Sequence, residues 1–255
     1  MTPDADPAGP PLDCDGITVR FGGFTALDSV SLAFPRGRTT ALIGPNGAGK
    51  TTLLNVLSGR QMPGAGKVRM AGRDVTALGA APRARLGLAR SFQIISIFPD
   101  FTVFENLRLA AQRHCFRRMP AWRDAAGYRR PRQLAEAMLE RIGLAGRGAD
   151  RAGTLSHGEQ RAIEIGLALV GDPAVLLLDE PLAGVGSREV APFMELLDGI
   201  CRVRTVVLIE HNMDAVMGLA DRVAVLVGGR LLAQGTPAQI RADAEVRAAY
   251  LGTGA

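Results

Sequence analysis

The sequence predicts an α/β fold in which helices flank a parallel core sheet, an antiparallel sheet leans on that core, and a helical segment is inserted. Three features of the hydropathy pattern predict it. Short β-branched or leucine-rich runs alternate with helical patterns, which is typical of parallel strands. Apolar segments near the start are separated by turns, which indicates antiparallel pairing. The middle stretch 92–156 has helical periodicity and no strand signal.

In chain order, the antiparallel part comes first. Segments 16–20, 29–34 and 67–70 are separated by the turn signals FGG, PRG and PGAG, with no helix between most of them. The apolar run Thr39–Ile43 leads into a glycine-rich loop and a helical run, so we assign it to the parallel core.

The helical insertion and the remaining core strands follow. The insertion contains two predicted helices, roughly 103–113 and 132–142, joined by an Arg, Pro and Gly-rich segment. Strand signals return at 174–178, Thr205–Ile209 and Arg222–Val227, with helical patterns between them. This alternation completes the predicted parallel core.

Composition fits a globular protein of one domain with a sizeable insertion. The 255 residues are 47% apolar and 22% charged. Asp172, Asp179 and Glu180 interrupt the longest apolar stretch, so nothing approaches the roughly 20 apolar residues that span a bilayer. The start of the chain is acidic and proline-rich, unlike a signal peptide. We expect a cytoplasmic protein with a short, frayed leader.

Cysteine spacing and charge bear on possible sites and partners. Cys14, Cys115 and Cys201 are scattered singly, which argues against a disulfide framework or a zinc site, so we expect buried or unreactive thiols. The net charge is +5, and much of the basic excess lies in 83–90 and 113–132. Such stretches suggest nucleic-acid binding. Aromatic residues for base stacking are sparse there, so we favour a solvated basic face, or one near anionic lipid, and expect no nucleic acid.

The segment GPNGAGKT, 44–51, fits the P-loop pattern at each fixed position and stands between an apolar strand and a helical run. Its glycines let successive N–H groups point into one concavity, and the helix N-terminus adds partial positive charge where phosphates bind. In that pattern Lys50 reaches the β- and γ-phosphates of ATP, and the Thr51 hydroxyl binds Mg²⁺. The predicted nucleotide-binding residues of this segment are Gly44, Pro45, Asn46, Gly47, Ala48, Gly49, Lys50, Thr51 and Thr52.

The segment VLLLDE, 175–180, is a predicted buried strand that ends in two carboxylates. Ligands of open α/β sheets bind at the carboxyl ends of strands. We predict that Asp179 holds Mg²⁺, directly or through water, and that Glu180 polarises the attacking water as general base. Without a P-loop, the same residues would fit a helix N-cap Asp and a solvated Glu.

Together with these motifs, LSHGEQ, 155–160, makes the chain resemble the ATP-binding cassette (ABC) family. It stands shortly before VLLLDE, where that family has its signature motif, usually LSGGQ, and His157 and Glu159 depart from that form. The resemblance assigns Ser156 and Gly158 to the γ-phosphate and includes Glu159 in the nucleotide contact. Ser156 before a helical run is also an ordinary helix N-cap, which explains the serine but not the motif's position.

Three single residues fit the same resemblance by order and spacing. Gln93 in SFQ resembles the Q-loop glutamine, which serves the metal and the catalytic site. His211 in LIEHNM resembles the switch histidine, and Phe21 in VRFGGFTAL resembles the aromatic residue that stacks on adenine. Taken singly, Gln93 would be a surface residue, His211 a structural histidine and Phe21 a core residue.

The resemblance implies the ABC ATPase fold, a P-loop NTPase with a mixed central sheet, an antiparallel β subdomain and an inserted helical subdomain. The implied domain is 12–252, with the helical subdomain at about 94–165, after a flexible leader 1–11 and before a tail 253–255. In the family's dimer, Ser156 and Gly158 of one protomer face the ATP held by Lys50 of the other. PLAGVG resembles the D-loop. The family often has Asp or Asn near Gly186, so a contact across the dimer from that position is left open.

Further segments make the resemblance closest to ATPases of branched-chain amino acid importers. They are SFQIISIFPDFTVFENL, the insertion before ERIGL, EHNM, GTPAQI and AAYLG. This implies a homodimer or a heterodimer with a sister ATPase, two transmembrane permease subunits, and a periplasmic or extracytoplasmic solute-binding protein that acts indirectly. It also implies a peripheral location on the cytoplasmic face of the inner membrane.

Three other functions share part of these motifs. Importer ATPases for urea or amides share several of the segments above. A cassette acting on nucleic acid or ribosomes would fit the arginine-rich insertion, but that class usually has two cassettes or a coiled-coil insertion, and this chain has no heptads. A small-molecule P-loop kinase has no use for LSHGE, Gln93 and His211.

Overall fold

The computed structural model describes residue 9 and residues 11–91, 96–116 and 128–251. The chain divides into two compact units. The first contains the described residues up to Arg90, then Ala174–Glu180, then those from Asp198 onwards. The second contains the described residues of Ser91–Pro173 together with Pro181–Leu197, a stretch outside the predicted helical subdomain. The predicted domain boundaries stay a prediction.

Antiparallel pairing organises the N-terminal strands, as predicted. β1, β2, β4 and β5 form one sheet in the order β2-β1-β4-β5. In chain order the described strands are β1 (Leu12–Phe21), β2 (Phe24–Phe34), β3 (Thr39–Ile43), β4 (Ala65–Met70), β5 (Arg73–Asp74), β6 (Leu88–Arg90), β7 (Val175–Asp179), β8 (Thr205–Ile209), β9 (Arg222–Val227) and β10 (Arg230–Gly235). The first two strands are longer than the predicted segments 16–20 and 29–34.

The other six strands form the mixed core sheet, in the order β10-β9-β3-β8-β7-β6. Neighbours are parallel except β9 and β10, which are antiparallel. The four predicted core strands are confirmed as β3, β7, β8 and β9. Every residue of β3, β7 and β8 is buried, which accounts for their mainly apolar sequences. The edge strands β6 and β10 were not predicted, since one is three residues long and the other is only partly buried.

The described helices are α1 (Lys50–Leu57), α2 (Ala80–Arg85), α3 (Val103–Cys115), α4 (Arg129–Arg141), α5 (His157–Leu169), α6 (Val190–Cys201), α7 (Met213–Leu219), α8 (Pro237–Ala242) and α9 (Ala244–Leu251). The predicted helices 103–113 and 132–142 correspond to α3 and α4. Thr102 begins α3 with a reciprocal capping box to Glu105. No helix of the described chain is long and apolar enough to cross a bilayer.

One hydrophobic cluster in the first unit joins both sheets to α1. Leu53, Leu54 and Leu57 of α1 are fully buried in it, with Phe34 of β2 and Leu177 of β7. Full burial of a side chain such as leucine contributes about 1.5–3 kcal/mol. Because α1 begins at Lys50, this core fixes the position of the glycine-rich loop that precedes the helix.

Two of the three cysteines are buried, as predicted. Cys14 and Cys201 are buried, and burial raises the pKa of the Cys14 thiol to about 12 and that of Cys201 to about 11. Cys115 is partly exposed, and all three thiols are free. A thiol with so high a pKa is protonated at neutral pH, so Cys14 and Cys201 are poor nucleophiles.

The arginine-rich stretch 83–90 is not wholly a solvated face, contrary to the prediction. The Arg83 side chain is fully buried, and its guanidinium donates hydrogen bonds to the carbonyls of Val56, Leu57, Thr76 and Leu78 at 2.6–3.1 Å. Two of these carbonyls are at the C-terminal end of α1, where backbone acceptors lack helical partners. Burial is the main effect on the Arg83 guanidinium, and it lowers the pKa. Arg83 therefore caps α1 from the interior.

Replacing Arg83 by methionine is expected to destabilise the protein by about 3 kcal/mol or more. The variant keeps an unbranched apolar stem but removes the Arg83 donor from the buried Leu57 carbonyl and from the partly buried carbonyls of Thr76 and Leu78, whereas the Val56 carbonyl keeps the Gly59 N–H. Each buried acceptor left without a donor costs roughly 1–3 kcal/mol. Urea unfolding measures the effect. Arg85→Met, at an exposed position on the same helix, is the control and should stay within about 0.5 kcal/mol of the wild type. Equal stability of the two variants would contradict the capping role of Arg83.

Candidate functional site

Three adjacent strands of the first unit bring the predicted motifs to one edge of the core sheet. β3, β8 and β7 are neighbours and parallel, and Ile209 at the end of β8 pairs with Leu42 of β3 and Asp179 of β7. The strands therefore end nearly level. The glycine-rich loop follows β3, Glu180 follows β7, and His211 follows β8. Ligands of open α/β sheets bind at such an edge.

The glycine-rich loop needs its glycines for conformation and close packing. Gly44, Gly47 and Gly49 have φ angles of 149°, 80° and 99°, which L side chains rarely adopt. A Cβ on Gly44 would lie 2.0 Å from the Leu226 carbonyl oxygen, and one on Gly49 would lie 2.6 Å from the Ala26 oxygen. The loop is thus held against β9 and β2.

The start of α1 is suited to an anion. Gly49 occupies the N-cap in a left-handed conformation, and no side chain caps the helix or places a carboxylate in its first turn. The N–H groups of the first turn, with the helix dipole, attract phosphate. Of the predicted contact residues here, Asn46 and Thr51 are exposed, Pro45 and Thr52 are partly exposed, and Ala48 is buried.

Lys50 is folded over this loop. Its side chain is largely buried, and Nζ donates hydrogen bonds to the carbonyls of Gly44 at 2.6 Å and Pro45 at 3.0 Å. Burial lowers the pKa of Lys50, and the charge of Glu180 acts in the opposite direction. An ammonium has three N–H bonds, so the group that holds the loop can also donate to a phosphate oxygen.

Asp179 is held by a buried arginine that sequence analysis did not single out. Arg90 Nη2 lies 2.8 Å from Asp179 Oδ2, and both side chains are at most 8% exposed. Arg90 Nη1 also donates to Asn55 Oδ1 and Ser58 Oγ at the α1 side of the site. Burial is the main effect on Arg90 and lowers its pKa, which the ion pair with Asp179 opposes. The geometry orients the Asp179 carboxylate. The only sequence signal for the role of Arg90 is that it follows two apolar residues, Leu88 and Ala89, in the short strand β6.

The carboxylate of Asp179 and the hydroxyl of Thr51 supply oxygen ligands, the kind that Mg²⁺ prefers. These residues fit the predicted metal role, which stays a prediction. Gln93, the third predicted ligand and a predicted catalytic residue, lies outside the described residues.

Glu180 and His211 form a direct contact. Glu180 Oε1 lies 2.7 Å from His211 Nε2. Glu180 has a φ of 50°, a left-handed conformation for a residue other than glycine, and its N–H donates to the Ile209 carbonyl at 2.9 Å. Such backbone strain, roughly 1–3 kcal/mol, clusters at functional sites. Since β8 holds the backbone, the carboxylate is aimed at His211.

Glu210 supports His211 and was not predicted. Its buried carboxylate accepts hydrogen bonds from the N–H groups of His211 and Asn212 at 2.9 and 3.2 Å. Asn212 in turn caps α7. The loop after β8 is therefore fixed from within, and sequence pattern alone gave no reason to separate Glu210 from a surface carboxylate.

Phe21 ends β1 and is 52% exposed, so the alternative that it is a core residue is wrong. The next aromatic residue, Phe24, begins β2 and is 63% exposed. An exposed ring leaves adenine stacking open for Phe21, and that role stays a prediction.

The predicted signature residues lie in the second unit, at the N-terminus of α5. Ser156 is the N-cap of α5, which confirms the helix-cap alternative given for it, and it forms a reciprocal capping box with Glu159. Glu159 Oε1 also pairs with Arg147 at 2.7 Å. The Ser156 hydroxyl contacts Glu189, whose side chain lies against Gly158. Ser156, Gly158 and Glu159 are thus brought together, with Arg147 and Glu189 as partners that were not predicted.

Comparison with known proteins supports this architecture. Residues 27–183 match the family described as ABC transporter, and residues 230–255 match that described as branched-chain amino acid ATP-binding cassette transporter. The chain is 38% identical to the high-affinity branched-chain amino acid transport ATP-binding protein BraF of Pseudomonas aeruginosa and to LivG, described in the same words, of Escherichia coli. Each match covers 95% of this chain and 98% of the relative.

Other relatives and solved structures share the cassette. A sulfate/thiosulfate import ATP-binding protein of Chromobacterium violaceum is also 38% identical, over 90% of this chain and 59% of that protein. A crystal structure of a nucleotide-free ATP-binding cassette from an ABC transporter is 29% identical, with a TM-score of 0.81 over 94% of this chain and 98% of that one. The ADP conformation of such a cassette has a TM-score of 0.79 at the same identity and coverage.

Proposed function

Because this chain belongs to the ABC transporter family, as a subunit that binds ATP and hydrolyses it to drive transport, we propose that it powers an importer of branched-chain amino acids. The observation that carries the solute class is the match of residues 230–255, a segment described for branched-chain amino acid cassettes. Percent identity alone does not choose the solute, since a sulfate/thiosulfate relative is also 38% identical, over a shorter aligned stretch than BraF. A urea or amide importer is the alternative.

In this function the first unit binds the nucleotide. The N–H groups of the loop 44–49 and of the first turn of α1 surround the phosphates, Lys50 neutralises the β- and γ-phosphates, and Phe21 stacks on adenine. Thr51, Asp179 and Gln93 would hold Mg²⁺, which would neutralise charge on the phosphates. Arg90 keeps the Asp179 carboxylate in place. This assignment is supported by the left-handed glycines and by the Lys50 contacts described above.

Glu180 and His211 serve the hydrolysis step. The Glu180 carboxylate accepts the proton of the attacking water, and the 2.7 Å contact from His211 Nε2 orients that carboxylate. Glu210 fixes the His211 backbone, so the orientation is established before ATP arrives. A preformed arrangement of this kind lowers the reorganisation needed in the transition state.

Replacing His211 by alanine is expected to reduce kcat by roughly 10²-fold while the affinity for Mg-ATP changes little, because the phosphates remain held by the P-loop. Steady-state turnover and isothermal titration separate the two effects. His114→Ala, on α3 in the other unit, is the control and should leave both unchanged. If affinity and turnover fell in equal proportion, His211 would be a structural residue.

Transport requires partners. We propose that two copies of this chain, or this chain and a sister ATPase, dock beneath two permease subunits at the cytoplasmic face of the membrane. An extracytoplasmic solute-binding protein supplies the amino acid. In the ATP-bound dimer, Ser156, Gly158 and Glu159 of one copy bind the nucleotide held by Lys50 of the other. Support comes from the relatives' descriptions and from the clustering of these three residues at the start of α5.

Uptake in the source cells tests the solute. Deleting the gene for this chain should abolish ATP-dependent uptake of labelled leucine, isoleucine and valine and leave urea uptake intact. The wild-type gene should restore uptake, and the Lys50→Ala gene should not. Loss of urea uptake with normal leucine uptake would overturn the branched-chain assignment and favour the alternative.

A further inference from the structure

The side chain of Glu189 covers the signature residues of its own chain. Its carboxylate contacts the Ser156 hydroxyl. A Cβ built on Gly158 would lie 2.9 Å from Glu189 Cδ and 3.0 Å from Oε2, so the glutamate rests directly on the Gly158 backbone. Glu189 comes immediately before α6, and its N–H donates to the Gly186 carbonyl at 2.8 Å. The contact thus joins the segment after Glu180 to the N-terminus of α5.

The Ser156 hydroxyl donates its one proton to Glu189. A serine hydroxyl has one proton to donate. Glu159 Oε2 already accepts the Ser156 backbone N–H at 2.9 Å, and the Ser156 hydroxyl accepts the Glu159 N–H at 3.3 Å. Of the two carboxylates near the hydroxyl, Glu189 is nearer than Glu159. The hydroxyl therefore donates to Glu189.

The charges distinguish the two glutamates. Glu159 forms an ion pair with Arg147, 2.7 Å away, and Arg147 also pairs with Asp150. Glu189 has no ion pair within the described residues. Its carboxylate therefore lies, without an ion pair among the described residues, at the positive end of a 13-residue helix, against two residues to which the proposed function assigns a γ-phosphate. A carboxylate and a phosphate compete for the same donors, and their like charges would repel if both lay against Ser156 and Gly158.

We propose that Glu189 is an autoinhibitory residue: it occupies Ser156 and Gly158 when no partner nucleotide is present, and it must leave them before an ATP-bound partner can dock. The inference rests on the proposed function, because it requires that these residues receive the partner's γ-phosphate. Glu189 thereby weakens ATP-dependent dimerisation and keeps isolated copies apart.

Dimerisation in Mg-ATP tests the proposal. In a Glu180→Gln background, which preserves bound ATP, adding Glu189→Gln should lower the dimer dissociation constant by roughly tenfold, as for loss of one competing charged hydrogen bond. Light scattering over a protein dilution series measures it. Glu195→Gln, an exposed charge change on α6, is the control and should leave the constant unchanged. An unchanged or raised constant in the Glu189 variant would mean that Glu189 supports the signature serine, and the proposal would be wrong.

A titration of the monomer separates this proposal from the proposed function. Inorganic phosphate added to labelled protein should shift the amide resonances of 156–159 with half-saturation at roughly tenfold lower phosphate in Glu189→Gln than in the wild type or Glu195→Gln. The amides of 44–51 should respond alike in all three proteins. Equal half-saturation at 156–159 would overturn the proposal. If Glu180→Gln itself fails to dimerise, the proposal that this chain self-associates is wrong. The phosphate titration of the monomer still decides the role of Glu189.

Discussion

Replacing Glu180 by glutamine is expected to slow ATP hydrolysis by roughly 10²- to 10⁴-fold and to leave ATP binding nearly unchanged. Glutamine keeps the shape of the side chain and can still contact His211, but its amide cannot accept the proton of the attacking water. The Lys50 contacts with the loop 44–49 and the Arg90 contact with Asp179 do not involve this carboxylate. Nucleotide binding therefore survives the change.

Single-turnover hydrolysis measures the chemical step directly, and isothermal titration with Mg-ATP measures binding. Glu245→Gln, at an exposed position in the first turn of α9, is the control for the loss of one carboxylate and should retain the wild-type rate. Hydrolysis at the wild-type rate in the Glu180 variant would show that the general base is another group.

The same variant should remain dimeric in ATP. In the proposed dimer, Ser156 and Gly158 of each copy should stay engaged with the uncleaved nucleotide of the other, whereas the wild type should separate after hydrolysis. Size-exclusion chromatography with Mg-ATP and with ADP follows this, and Ser156→Arg in the same background should abolish the dimer by placing bulk at the interface. An inactive variant that is monomeric in ATP would keep the base assignment and indicate an obligate heterodimer.

Lys50→Ala is expected to weaken Mg-ATP binding by roughly 10²-fold or more and to abolish detectable hydrolysis. The ammonium is largely buried and bound to the Gly44 and Pro45 carbonyls, so its charge is fixed at the loop. Charge-assisted hydrogen bonds contribute about 1.5–3 kcal/mol, and a charge held out of bulk water is screened little. Alanine removes both the bond to the phosphates and the tie that shapes the loop.

Isothermal titration with Mg-ATP and a phosphate-release assay measure the two losses. Lys67→Ala, an exposed lysine on β4, is the control and should bind and hydrolyse ATP normally. A thermal melt checks that Lys50→Ala is folded, which we expect because both lysine contacts are to loop carbonyls. Unchanged affinity and turnover in a folded variant would exclude the P-loop assignment.

Much of the fold could be predicted because its signals are local. β3, β7 and β8 are buried along their whole length, so their sequences are short, mainly apolar and β-branched or leucine-rich. The start of helix α3 has a local signal, the capping box formed by Thr102 and Glu105. The edge strands β6 and β10 lack such runs, and their assignment depends on pairing with a strand elsewhere in the chain.

The amino-acid sequence alone predicts the α/β class, the glycine-rich loop with Lys50, the carboxylates after β7 and the signature segment, because each is a short pattern whose chemistry depends on adjacent residues. The contacts of those groups are visible only in the folded chain. Arg90 and Asp179 are 89 positions apart, Glu180 and His211 are 31 apart, and Ser156 and Glu189 are 33 apart. The folded chain also places Arg83 inside, bound to four carbonyls. The physical reason is that a long polar side chain forms hydrogen bonds with whichever group the packed backbone brings within about 3 Å. No local sequence pattern encodes that distance.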